Sequence, residues 1–152
     1  MEALAAIGLA SAIVQFVDFS SKLVTGASEI YSSTSGMPAA MGDCDVIIGN
    51  LRSLTGRLKV PLMHGSLSTE DKRLVALKDG CERLSDDLLA VIQTTKAKKP
   101  GSRLSSLKAS WKGLRQRGKL ASIESRLDRY RTEVLGQLLT MMRYLNFTFH
   151  IA

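Results

Sequence analysis

Aromatic residues make up only 5% of this chain, proline occurs three times and cysteine twice. Scarce aromatics and prolines beside abundant Leu, Ala, Ser, Lys and Arg argue against a β-sandwich and for helices. Two widely separated cysteines, Cys44 and Cys81, are too few for a disulfide framework. They read as buried free thiols in a reducing compartment. Histidine also occurs only twice, as His64 and His150, and neither has a cysteine or carboxylate at metal-ligand spacing. No zinc pattern follows, and no cofactor is implied.

The 152 residues suit a single domain over 1–150, large enough to bury a core without disulfides or metals. Hydrophobic residues reach 45%, which excludes a disordered chain. Ala3–Val17 is apolar apart from Ser11 and Gln15, as in a signal-peptide core. Glu2, however, stands where a signal peptide carries Lys or Arg, and the run passes into an amphipathic helix without a cleavage site. A cytoplasmic protein is therefore expected, and the glycosylation-like triplet Asn146-Phe147-Thr148 carries no weight.

Punctuation divides the chain into four helical blocks. The first, Glu2–Ser33, closes on a Ser/Thr/Gly loop, and the second runs from about Pro38 to Lys59, before Pro61. The third starts at Ser68, where Ser68-x-x-Asp71 offers an N-cap oxygen and an acidic first turn, and ends near Thr95. The fourth runs from Ser102 to about Tyr144, with a break at Gly118.

Helical spacing is sustained. Cys44, Ile47, Leu51, Leu54 and Leu58 form one stripe, and Leu74, Leu77, Cys81, Leu84, Leu88 and Val91 another. Leu104, Leu107, Trp111 and Leu114 form a third. The longest joins Leu120, Ile123, Leu127, Tyr130, Val134, Leu138, Met141 and Leu145. Each has the width of a bundle seam. The fold class is all-α: a bundle of four to five helices with a hydrophobic first helix and a long last one.

The first block differs because Ala3–Val17 reads as apolar on every side, as expected of a central core helix or a membrane segment. At 1.5 Å per residue the run before Asp18 extends only about 24 Å, short for a constitutive span. Gly8 with Ala12, and Ala6 with Ala10, make small-xxx-small pairs suited to close helix packing.

Catalytic chemistry finds little support. Asp43, Asp45, Asp86 and Asp87 read as solvated helical faces, and His64 as an exposed loop residue. Gly113–Lys119 has the spacing of a phosphate-binding loop but lacks the following Ser or Thr and a preceding strand. A non-enzymatic protein is expected.

The formal charge of +7 is concentrated in one stretch. Between Lys96 and Lys119 stand nine basic residues, Lys96, Lys98, Lys99, Arg103, Lys108, Lys112, Arg115, Arg117 and Lys119, with no acid between Asp87 and Glu124. Such a run is either a solvated face or attraction to an anionic surface. Without helix-turn-helix spacing or zinc knuckles, and with Trp111 as the sole interleaved aromatic, no nucleic-acid partner is expected.

The opening, Met1 through Val24, followed by Glu29-Ile-Tyr31 and Ser32-Ser-Thr-Ser-Gly36, closely resembles the N-terminus of fungal NLR-type (STAND) receptors, whose HeLo-like domain precedes a NACHT module. Trp111-Lys-Gly-Leu and Ile123-Glu-Ser-Arg-Leu127-Asp-Arg-Tyr130-Arg are similar to that domain's long last helix. The resemblance implies a bundle akin to the HET-S HeLo domain and the four-helix domain of mixed-lineage kinase domain-like protein. It implies a role in regulated cell death, in which the first helix is released into the plasma membrane and oligomers make it leaky. Leu4, Ile7, Leu9, Ile13, Val14 and Phe16 would then insert. Lys98, Lys99, Arg103, Lys108, Lys112, Arg115, Arg117 and Lys119 would attract anionic lipid. The expected partners are anionic lipid, further copies of the chain when active, and a NACHT-bearing partner or missing C-terminal domain. The competing reading is an adaptor bundle whose first helix stays buried while the basic face meets an acidic protein.

Overall fold

The computed structural model describes residues 3–32, 44–59, 67–98 and 118–151, which form four helices with no strand among them. They are α1 (Ala3–Ser32), α2 (Cys44–Leu58), α3 (Thr69–Lys98) and α4 (Lys119–Ile151). The expected all-α bundle, with α4 its longest described helix, is the fold found.

Local chemistry sets the boundaries. Ser68 caps α3 reciprocally: its Oγ accepts from the Asp71 amide at 3.1 Å, and its own amide donates to Asp71 Oδ2 at 3.4 Å. α3 then passes the expected end near Thr95 and reaches Lys98. Pro100 disfavours helical geometry only at Lys99, the residue before it. Gly118 takes φ +75°, which a β-carbon resists, and its carbonyl accepts the first α4 bond from the Ser122 amide at 3.3 Å. α4 continues past Tyr144 to Ile151, because Leu145–Ile151 contains no Gly or Pro to stop it. The Pro38–Asp43 start of the second block, and the Leu104–Leu114 stripe with the rest of 99–117, lie outside the described residues.

α1 and α3 each pack against all three other helices, so they meet across the middle of the bundle with α2 and α4 beside them. The core draws Leu9, Ile13 and Phe16 from α1, Ile47, Leu51 and Leu58 from α2, Leu74, Leu84, Leu88 and Ile92 from α3, and Ile123, Leu127, Tyr130 and Val134 from α4. Ile92 is fully buried where the stripe named the half-buried Val91. A 3.6-residue turn drifts about 20° per heptad against a strict 3,4 spacing.

Two cross-helix pairs orient α3 against α4. Gly80 faces the ring of Tyr130, and Asp87 Oδ2 accepts from Arg126 Nη1 at 2.8 Å. As α3 advances, α4 retreats, so the helices are antiparallel. Extended by the same register, the start of α3 falls level with the Leu135–Met142 stretch, and α4 runs on beyond it. Among the described side chains Val134 is the last fully buried residue of α4, and Leu138, Met141 and Leu145 are half-buried.

Candidate functional site

α1 is the element with the most distinctive chemistry, and its surroundings split it into two faces. Leu9, Ile13 and Phe16 have no solvent exposure, Ile7 and Val14 are half-buried, and Leu4 is 81% exposed near the free end of the helix. The outward residues are Leu4, Gly8, Ser11, Gln15, Asp18 and Lys22. They repeat at four and three residues, so one narrow stripe carries Ser11, Gln15, Asp18 and Lys22, with Ser20 and Ser21 the polar residues off it. Within Ala3–Val17 only Ser11 and Gln15 of that stripe are polar, and the charged edge opens at Asp18 and Lys22. Gly8 lies on the same stripe, and a β-carbon there would meet nothing within 4 Å, so among the described residues no neighbouring helix closes on the Gly8 end of the Gly8/Ala12 pair.

The apolar stretch is also longer than the run ending at Val17. Asp18 and Lys22 pair at 3.0 Å, one helical turn apart. The helix segment Ala3–Val24 has 22 residues and contains an 18-residue stretch of mean hydropathy 1.7, enough to cross a membrane by length and composition, and 44% of that stretch is buried in the bundle. At 1.5 Å per residue it extends about 33 Å, against a hydrocarbon core of about 30 Å.

Polar contacts clasp α1 at its margins. Arg57 of α2 donates to Gln15 Oε1 at 2.9 Å, and Arg131 of α4 donates to Ser21 Oγ at 2.7 Å. Both are solvent-exposed and cheap to exchange for water. Under the helix, the Ser20 hydroxyl is wholly buried and has no hydrogen-bond partner among the described residues. Ser85 of α3, equally buried, is satisfied by Thr55 of α2 at 2.8 Å. The Ser20 defect costs about 1–3 kcal/mol, so α1 is packed below its best.

Of the basic residues, Lys96 and Lys98 belong to the end of α3 and Lys119 to the start of α4. Lys99, Arg103, Lys108, Lys112, Arg115 and Arg117 lie outside the described residues, as do His64 and Asp43 and most of the phosphate-loop-like segment. Asp45, Asp86 and Asp87 are exposed, and Asp87 takes the Arg126 ion pair. That pair and the Tyr130 phenol push the Arg126 guanidinium up from its ordinary value against the effect of burial. Cys81 is a buried free thiol pushed up to about 12, chiefly by burial and further by Glu82, against a lowering by Arg126. Among the described residues no cluster of three or more His, Cys, Asp or Glu could hold a metal.

One apolar surface was not anticipated from the periodicity. Beyond Val134, Leu135, Leu139 and Met142 are exposed on one side of α4, and Tyr144 and Phe147 are 73% and 67% exposed on the others. The sequence signal was available: no Asp or Glu follows Glu133, while apolar residues continue off the seam as well as on it.

No family model, no curated protein and no solved structure matches this chain.

Proposed function

We propose that this protein is a membrane-targeting, pore-forming effector domain of the HeLo-like class, acting in fungal cell death, with α1 as the inserting element. The observation that carries the reading is the Ala3–Val24 helix, apolar and long enough to span a bilayer yet only partly buried in the bundle. Such a helix has apolar surface to bury in either setting, the physical requirement for a switch. The Ser20 hydroxyl, without a partner among the described residues, supports it by lowering what holds α1 in place, and the contacts at Gln15 and Ser21 are exposed and readily exchanged for water. The resemblance of these same residues, Met1–Val24, to the openings of fungal NLR-type receptors suggests the class. The nine basic residues of Lys96–Lys119 would draw the cytoplasmic protein to anionic lipid, at about 1 kcal/mol each near the surface. Oligomers of released chains would make the membrane leaky, and a NACHT-bearing partner or further domain would supply the trigger.

Dye leakage from anionic liposomes tests this with Leu4→Glu. Leu4 is exposed in the resting bundle, so the variant should keep its thermal stability within about 1 kcal/mol. A charge costs about 2.5–3.5 kcal/mol at the centre of a span, and at Leu4, the second residue of Ala3–Val24, it must pass through that centre as the helix inserts, so leakage should fall. Wild-type leakage from a folded Leu4→Glu protein would transfer the basic segment to the adaptor reading.

A further inference from the structure

The exposed C-terminal half of α4 is separate from α1 and differs in state. The inward face of α1 is covered by three helices until the bundle opens, whereas Leu135, Leu139, Met142, Tyr144 and Phe147 of α4 already face solvent. We propose that this half of α4 is a lipid-contacting surface used by the closed bundle, seated at the headgroup–acyl boundary of an anionic leaflet before α1 is released.

Three observations select a lipid surface as the occupant. First, the exposed apolar residues do not share one face. Leu135, Leu139 and Met142 recur at four and three residues, but Tyr144 stands about half a turn round the helix from Leu135, and Phe147 lies between these two sides. A second helix covers one stripe, whereas a lipid interface surrounds a protruding helix end. Second, the charge is one-sided. Beyond Glu133 there is no acidic residue, and the basic side chains Arg143 and His150 are both exposed, as contact with an anionic leaflet requires. Third, the register of α3 against α4 sets Leu135, Leu139 and Met142 level with the start of α3 and carries Tyr144 and Phe147 past it, so the aromatic pair lies at the margin of the described bundle. Aromatic rings beside an arginine suit the interfacial layer, where the rings sit at headgroup level and the guanidinium reaches up to phosphate.

Co-flotation of the full chain with vesicles tests the assignment. Vesicles of phosphatidylcholine with phosphatidylserine are used at high salt, which suppresses attraction by the basic segment. Two variants target opposite sides of the helix: Leu139→Asn with Met142→Asn, and Tyr144→Ser with Phe147→Ser. Both pairs are exposed, so melting temperature and monomer mass should be unchanged. Each should reduce the vesicle-bound fraction about tenfold, equivalent to about 1.4 kcal/mol. Unaltered binding by both variants, or no flotation of the wild type, would overturn the proposal. So would a loss confined to the Leu139/Met142 variant together with conversion of a wild-type dimer to monomer, which would assign that stripe to a second copy. The α1 reading fails separately: flotation that depends on α4, with no leakage from any protein, would refute pore formation and leave this surface standing.

Discussion

Two glycines inside helices show how the same residue acts in opposite senses. A β-carbon at Gly80 would lie 2.6 Å from Tyr130 Oη and 2.8 Å from Cζ, and the ring is itself buried. Gly80 is therefore what lets α3 and α4 approach. Gly80→Ala should destabilise by about 1–3 kcal/mol through overpacking. At Gly8, with open space around the missing β-carbon, Ala should stabilise by up to about 1 kcal/mol through helix propensity. Chemical denaturation of the two variants should shift the midpoint in opposite directions. Cys81 provides a second test at this scale. With its thiol raised to about 12, the reactive thiolate is nearly absent below about pH 11 in the folded protein. In a Cys44→Ser background, alkylation at pH 8 should modify Cys81 only as fast as the bundle opens, and denaturant should accelerate it sharply.

At the scale of the element, the α3 cap couples stability to pH. Burial works to raise the Asp71 pKa, but hydrogen bonds, including those with Ser68, outweigh it, and the carboxyl lies below its ordinary 3.8. A carboxylate lowered in the folded state adds stability that is fully present well above 3.8 and is lost as pH falls through the folded value. Ser68→Ala should therefore cost about 0.5–2 kcal/mol at neutral pH. Part of that cost should disappear as Asp71 becomes protonated below pH 4. Thermal melts at pH 7 and pH 3 would measure both; an equal loss at the two pH values would separate the cap from the carboxylate charge.

For the whole molecule, the uneven charge governs how it meets other surfaces. Outside Lys96–Lys119 the remaining residues carry 12 basic and 14 acidic groups, so the net positive charge comes from this single segment. At 0.15 M salt the screening length is about 8 Å, so attraction through exposed cations fades with added salt while apolar contact persists. Reversing Lys98, Lys99, Lys112 and Arg115 to Glu should abolish the salt-sensitive part of binding to anionic vesicles. The melting temperature should change little. Equal wild-type binding to neutral and anionic vesicles would remove the segment from any role in lipid attraction.

The all-α class, the Ser68 cap, the break at Gly118 and the seam through Ile123, Leu127, Tyr130 and Val134 were all legible in the sequence. These features depend on the backbone period and on contacts within a few residues, and the chain encodes them locally. The outward stripe of α1 was also written there, in Gly8, Ser11, Gln15, Asp18 and Lys22, but it is thin enough to be hidden by the apolar residues around it. Other features required the tertiary structure. The need for glycine at position 80 comes from a tyrosine fifty residues away, and the orphaned Ser20 hydroxyl from which atoms happen to pack around it. The seam of α4 continues to Leu145 with undiminished regularity, yet past Val134 its residues Leu138, Met141 and Leu145 are only half-buried. Periodicity states which face of a helix is apolar; only the lengths and register of its neighbours decide how far along that face there is anything to cover it.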